Sequence, residues 1–179
     1  MTIRKTEPAD LAAVLKIYAE AREFMRESGN PEQWGDVHPP DKMIEDDIAA
    51  RLGYVCEDSG EIAAAFYFNI ERDTTYEYIQ GAWLNEAPYG VVHRIAVRRG
   101  TKGAGTLCLN WAFEQCGNLK IDTHEDNIPM KNLLGKLGFI YCGKIWVLDG
   151  TEERIAFQKA APALGSDAKQ TDADTAAEL

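Results

Sequence analysis

Several things are scarce or missing in this chain, and each absence narrows what it can be. No uninterrupted apolar run approaches the roughly 20 residues of a membrane-spanning helix. The opening, MTIRKTEPAD, has no secretory signal character. A cytoplasmic protein with no membrane partner is therefore expected. Only four cysteines occur, Cys56, Cys108, Cys116 and Cys142, with no CxxC pairing, so reduced thiols and no metal site are expected. Basic residues are outnumbered, 19 Lys and Arg against 29 Asp and Glu. The resulting net charge of −10 and pI near 4.8 argue against nucleic acid as a partner. No Walker loop, GxxxxGK followed by Ser or Thr, is present. A dinucleotide GxGxxG read from Gly103 fails because its third glycine falls on Cys108. No internal repeat is visible.

What is there suits a globular protein. A length of 179 residues, 45% hydrophobic and 27% charged, gives one domain with room for a real core. Beyond Ala160 the composition turns to Ala, Asp, Thr and Ser. Residues 161–179 read as an acidic, disordered tail behind a domain of residues 1–160.

The stretch YGVVHRIAVRRGTKGAGTL, residues 89–107, organises the rest. It opens as a two-sided central strand, with Val91, His93, Ile95 and Val97 on one face and Val92, Arg94 and Ala96 on the other. A basic loop with Gly100, Gly103 and Gly105 follows and leads into a helix. Strand, glycine loop and helix start form an anion cradle: glycine admits a ligand close to the backbone, and free amides with the helix dipole favour negative charge.

In chain order, a short strand (2–5) is followed by a helix capped at Thr6, with Leu11, Val14, Leu15, Tyr18, Ala19 and Phe24 on its apolar stripe. A polar, aromatic loop leads to a second helix from Asp41 to about Leu52, with Gly53 as its C-cap. Strands 54–57 and 62–70 are joined by a turn at Asp58-Ser59-Gly60. A loop with Tyr76, Tyr78, Trp83 and Tyr89 precedes the central strand. After the cradle helix come a fifth strand (Leu119, Ile121, Thr123), a short helix (127–136), an extended segment to Val147, a turn at Asp149-Gly150, and a last strand, Arg154–Gln158. The pattern predicts an α+β domain around one sheet.

The loop Lys102-Gly103-Ala104-Gly105-Thr106-Leu107 resembles the acetyl-CoA signature of the GCN5-related N-acetyltransferases (GNAT): Arg or Gln, x, x, Gly, x, Gly or Ala. It departs at both ends, with Lys102 for Arg or Gln and Leu107 for the final small residue. Asn127, a short helix and Gly138-Phe139 are similar to the family's second motif, and the opening IRKTEPADLAAVLKIYAEAR to its first strand and helix. The element order is also the family's. This resemblance implies a mixed, mostly antiparallel sheet with splayed central strands, and transfer of an acetyl group from acetyl-CoA to a primary amine, small molecule or peptide, by direct attack. It implies that backbone amides of Ile95, Ala96 and Val97 hold the acetyl carbonyl and pantetheine. Lys102 to Thr106 would hold the phosphates, with Asn127 beside the cofactor. The family's habit of dimerising implies a homodimer, although no stretch marks an interface.

Within that expectation the catalytic residues stay open. The tyrosine many relatives use as acid, four residues before Gly-Phe, is Leu134 here. His93, on the central strand where many relatives carry a base, has a side chain suited to deprotonating an amine; the alternative is a packed, inert imidazole. His124, past the fifth strand, is either a base or a surface residue. Tyr141 is either a substitute acid or core. Cys142 offers a covalent route that the family does not use. Trp34, His38, Trp83 and Tyr89 are candidate walls of an amine pocket or simple covers of the core. The run Glu45-Asp46-Asp47 reads as a solvated helix face. A non-catalytic acyl-CoA-binding module, or a binder of another phosphate ligand, are the competing readings.

Overall fold

In the computed structural model, which describes residues 1–147 and 150–162, one eight-stranded sheet carries four α-helices. The expected tail from residue 163 onward and the Asp149 half of the last turn lie outside the described residues. The elements follow the sequence closely: β1 (Thr2–Lys5), α1 (Leu11–Glu27), α2 (Asp41–Ala49), β2 (Gly53–Asp58), β3 (Glu61–Asn69), β4 (Gln80–Gly81), β5 (Gly90–Val97), α3 (Ala104–Cys116), β6 (Asn118–Thr123), α4 (Ile128–Lys136), β7 (Ile140–Val147) and β8 (Glu152–Ala160). The strand order is β1-β2-β3-β5-β6-β8-β7-β4. Every pairing is antiparallel except β5 with β6.

Local details depart from the sequence reading for physical reasons. A single 3-10 turn, Pro8–Asp10, precedes α1, and its cap is the reciprocal pair Glu7 and Asp10 rather than Thr6. Thr6 is buried and donates its amide to the Gly53 carbonyl. The buried stripe of α1 is Val14, Ile17, Tyr18 and Ala21; Ala19 and Phe24 face solvent. α2 stops at Ala49 because Arg51 turns left-handed (φ 58°), so Gly53 begins a strand instead of capping a helix. The turn between β2 and β3 forms at Ser59-Gly60, both with positive φ, which matches strand twist in a tight hairpin. The connection between β3 and β5, read as a plain loop, contains a 3-10 turn (Thr74–Tyr76) and the two-residue β4, which pairs with β7.

The most consequential departure is in β5. Arg94 takes φ 51°, and the register with β3 slips between Ala65↔Ala96 and Tyr67↔His93. That bulge reverses the alternation. Val92, Ile95 and Val97 pack with Phe66, Cys108, Leu109 and Leu134 on the α3–α4 side. Ala96 joins Val14, Ile17, Trp34 and Ile44 under α1 and α2. Val91 belongs to a third cluster, with Tyr76, Ile145 and Ala156, beneath the 70–89 connection. Strict two-fold alternation along 91–97, as expected from the sequence, is therefore corrected.

Candidate active site

The site begins with a missing ladder. β5 and β6 pair only at Gly90↔Leu119 and Val91↔Lys120, after which the two parallel strands diverge. From Val92 onward the β6-facing edge of β5 has no strand partner, so alternate peptide groups of residues 92–97 are available to a ligand. A cleft of about 500 Å³ opens along this gap, lined by Trp34, His38, His93, Ile95, Ile121, Asn127, Met130 and Arg154.

At the end of β5 stands the glycine cradle. Gly103 is the N-cap of α3, with φ 83°, and a Cβ built there would meet nothing within 4 Å, so the turn is open to an incoming group. The amides that follow, Ala104 to Thr106, precede the first intrahelical bond, from Leu107 N–H to the Gly103 carbonyl. Gly105 is buried, and a Cβ there would lie 3.3 Å from Leu133 and 3.5 Å from Val97, so a small residue lets α3 sit against α4 and β5. Of the loop cations, Arg98 is bound to Glu61 and Arg99 to Glu27. Lys102 is exposed and forms no ion pair among the described residues. An open β-edge leading to a helix start beside an unpaired lysine fits the pantetheine arm and phosphates of an acyl-CoA.

At the other end, His93 sits among acids. Its Nε2 is 2.8 Å from Asp73 Oδ2, and its Nδ1 is 3.9 Å from Asp122 Oδ1. Tyr76 donates its hydroxyl to that Asp122 oxygen at 2.7 Å, and the rings of Tyr67 and Tyr76 flank the imidazole. Asp73 is itself fixed: Oδ1 accepts from the Thr75 amide, and its own amide donates to the Tyr89 hydroxyl. Burial pushes the Asp73 carboxyl up, but the bonds from His93 and Thr75 outweigh it and hold it at about 2. Burial, then the charge of Asp122, push the Tyr76 hydroxyl well above its ordinary value. His38 is held below its usual value by burial and by the cations Arg94 and Arg154.

Arg94, on the bulge, donates to Asp47 at 2.7 Å and lies 4.9 Å from the Tyr67 ring. Asp47 is thus no solvated helix charge, as the Glu45-Asp46-Asp47 run suggests; it is half-buried against a cation. Burial still pushes its carboxyl up, with Arg94 pulling the other way. Arg154, also buried, is bound to Glu152 and to the Gln33 carbonyl. The Gln33 side chain accepts from Asn127 at 2.8 Å and from Asn30 at 2.7 Å. The Asn127 carbonyl oxygen caps α4 at the Met130 amide. Thus Asn127 ties the loop after α1 to the wall of the cleft.

The remaining candidates scatter. Trp34 lines the cleft and packs edge-on to Tyr18. Trp83 and Tyr89 line a different cavity, on either side of Lys120. His124 lies in a neighbouring depression with Glu32, Glu152 and Arg154, its Nδ1 3.5 Å from Asp126. Tyr141 is 54% exposed on β7 and does not line the cleft. Leu134 is fully buried in the core and offers no acid at that position. Cys142 is buried, with its thiol pushed up by burial and donating to the Ile140 carbonyl; it lies outside the cleft. Asp73, Tyr76, Asp122, Gln33 and Arg154 were not singled out by sequence. The paired polar residues around His93 come from segments that no local pattern joins.

The model of the Acetyltransferase (GNAT) family matches residues 13–139. Among solved structures, a GNAT-family acetyltransferase from Streptococcus agalactiae is 31% identical, covering 89% of this chain and 94% of that one, with a TM-score of 0.79. The putative acetyltransferase yncA of Salmonella typhimurium, solved with its cofactor acetyl-CoA, is 18% identical over 94% and 98% of the two chains (TM-score 0.61) and shares the fold. So does the ribosomal-protein-S18-alanine N-acetyltransferase of Escherichia coli, 17% identical over 94% and 98% (TM-score 0.60). No curated protein sequence matches.

Proposed function

Since the chain belongs to the Acetyltransferase (GNAT) family, we propose that it transfers an acetyl group from acetyl-CoA to a primary amine by direct attack within a ternary complex, with His93 as the base. The observation that carries this reading is the placement of His93 and its two carboxylates at one end of the β5–β6 gap whose other end is the α3 cradle. Acetyl-CoA supplies the activated acyl group. Lys102 and the amides of Gly103 to Thr106 hold its phosphates, and peptide groups of Ile95, Ala96 and Val97 hold the pantetheine and acyl carbonyl. Backbone donors aimed at that oxygen stabilise the charge it gains, at about 3 kcal/mol for one donor. Holding amine and thioester in one gap supplies much of the remainder.

Asp73 accepts from Nε2–H, which leaves the Nδ1 lone pair free. The separation of 3.9 Å between Nδ1 and Asp122 is too long for a direct hydrogen bond but suits an intervening amine N–H or water. An ammonium arriving there meets Asp122 as counter-ion and His93 as proton acceptor. Glu32, Asp122 and Glu152 outnumber Arg94 and Arg154 on the cleft wall, which favours a cationic acceptor. A thiolate leaves without an obligatory acid, since a free thiol has pKa near 8.5, so the core position of Leu134 is compatible with turnover. That same absence of the family's tyrosine favours the second reading, a CoA-binding module without turnover. The fold's location is proposed as cytoplasmic, and a homodimer as the family's habit.

Release of free thiol from acetyl-CoA in the presence of a panel of amines, with product mass confirming addition of one acetyl group, distinguishes the two. Turnover that falls about 10²-fold or more in His93→Gln, with acetyl-CoA affinity unchanged, is expected. Equal turnover in wild type and His93→Gln would remove His93 as base. Acetyl-CoA binding with no acetylation of any amine would establish the module instead.

A further inference from the structure

Under the connection between β3 and β5 lies a second cavity, about 650 Å³, separate from the acyl-transfer cleft. Its apolar walls are Tyr76, Ile79, Trp83, Pro88 and Tyr89, and Lys120 of β6 reaches into it. Lys120 occupies an interior position of a strand and is only 3% exposed. Its Nζ lies 4.0 Å from the centre of the Trp83 ring and 3.9 Å from that of Tyr89. Among the described residues it makes no hydrogen bond and no ion pair.

No group around it forms an ion pair with it, although the Glu86 carboxylate is near enough to favour its charged form. Arg72 and Glu77, on the rim, pair with one another at 3.1 Å. Glu71 and Glu86 line the same rim without forming an ion pair to Lys120. The nearby Cys142 thiol is kept protonated by burial, and burial also draws the Lys120 ammonium below its ordinary value. An ammonium withdrawn from water is costly unless paired. Two ring faces offset part of that cost but supply no counter-charge. A leucine or isoleucine in this strand position would avoid that cost altogether.

We propose that this cavity is a binding site for a small aromatic carboxylate, whose negative group pairs with Lys120 and whose ring lies against Tyr76, Ile79 and Trp83. The aromatic and aliphatic walls select the body of the ligand, and the Lys120 ammonium, held between two rings without an ion-pair partner, selects the anion. The rings are held for this: the Trp83 indole N–H donates to the Tyr76 carbonyl, and the Tyr89 hydroxyl accepts from the Asp73 amide.

The test is a titration of the whole chain with benzoate, read on the indole ¹⁵N–¹H resonance of Trp83, which is assigned by its loss in Trp83→Phe. Benzyl alcohol serves as the neutral analogue. Saturable movement of the Trp83 signal with benzoate is expected, with binding of benzyl alcohol weaker by about tenfold or more. Lys120→Met, which keeps an unbranched apolar side chain and removes the charge, should weaken benzoate by a similar factor. Absence of saturation by benzoate, equal binding of the alcohol, or unchanged binding in folded Lys120→Met would each overturn the proposal. The comparison of benzoate with benzyl alcohol in the wild-type protein stands even if Lys120→Met does not fold. Because the readout is binding in a cavity away from the cradle, its failure leaves the acyl-transfer reading untouched.

Discussion

Replacing Asp73 by Asn should separate two jobs of one carboxylate. In the native protein one oxygen accepts from the Thr75 amide and the other from His93 Nε2–H. Asparagine has a single acceptor oxygen. If that oxygen keeps the Thr75 amide, its NH₂ faces Nε2 and forces the imidazole proton onto Nδ1. The lone pair then points away from the amine, and base catalysis, worth about 10²–10⁴-fold, is lost. Stability changes as well, and its sign follows from the carboxyl being held at about 2 against an ordinary 3.8. A folded-state value below the unfolded one means that the contribution is complete above about pH 4 and disappears as pH falls through about 2. The difference corresponds to about 2 kcal/mol at neutral pH, or about 4–8 °C in Tm for a chain of this size. The assay pairs kcat/KM for acetyl transfer with thermal melts between pH 2 and 7. Asp73→Asn should melt lower than wild type at pH 7, with the gap closing toward pH 2. A pH-independent gap, or an unaltered pH–rate profile, would refute the linked roles assigned to Asp73 and His93.

Other perturbations have equally definite outcomes. Gly103→Asp places a carboxylate where the phosphates belong and a side chain at φ 83°, in otherwise open space. It should cost about 1 kcal/mol of stability but weaken acetyl-CoA, measured by calorimetry, by tenfold or more. Arg94→Met leaves the half-buried Asp47 without its cation and should lower stability in urea by about 2 kcal/mol. The double change with Asp47→Leu should recover most of that loss, because no uncompensated charge remains.

Much of the fold was legible because its signals are local. The glycine cradle, the Ser59-Gly60 turn, and Asn127 opening a proline-led helix each announce themselves within a few residues. The candidate site was legible only in outline. His93 stands out by residue type, yet its partners Asp73 and Asp122 come from a loop and from the next strand. Asn127 reaches Gln33 across 94 positions. No periodicity encodes such contacts. The bulge at Arg94 was invisible for a related reason: the residue that takes positive φ is an arginine, with no glycine to mark it, and only the pull of Asp47 and the Tyr67 ring shows why the strand turns there. Trp83 and Tyr89 show the reverse case. Aromatic residues in a turn-rich stretch suggested the amine pocket, but the pairing of β4 with β7 carries that connection to another face, where the rings enclose Lys120.

The central claim is that the β5–β6 gap and the α3 cradle receive acetyl-CoA, and a thermal melt with acetyl-CoA beside CoA, ATP and NAD tests it most directly. A ligand at about 100 times its dissociation constant adds about 2.7 kcal/mol, which for a domain of this size raises Tm by about 5–10 °C. The account predicts that rise with acetyl-CoA and CoA and none with ATP or NAD. Folded protein whose melting is unmoved by either CoA species would contradict it.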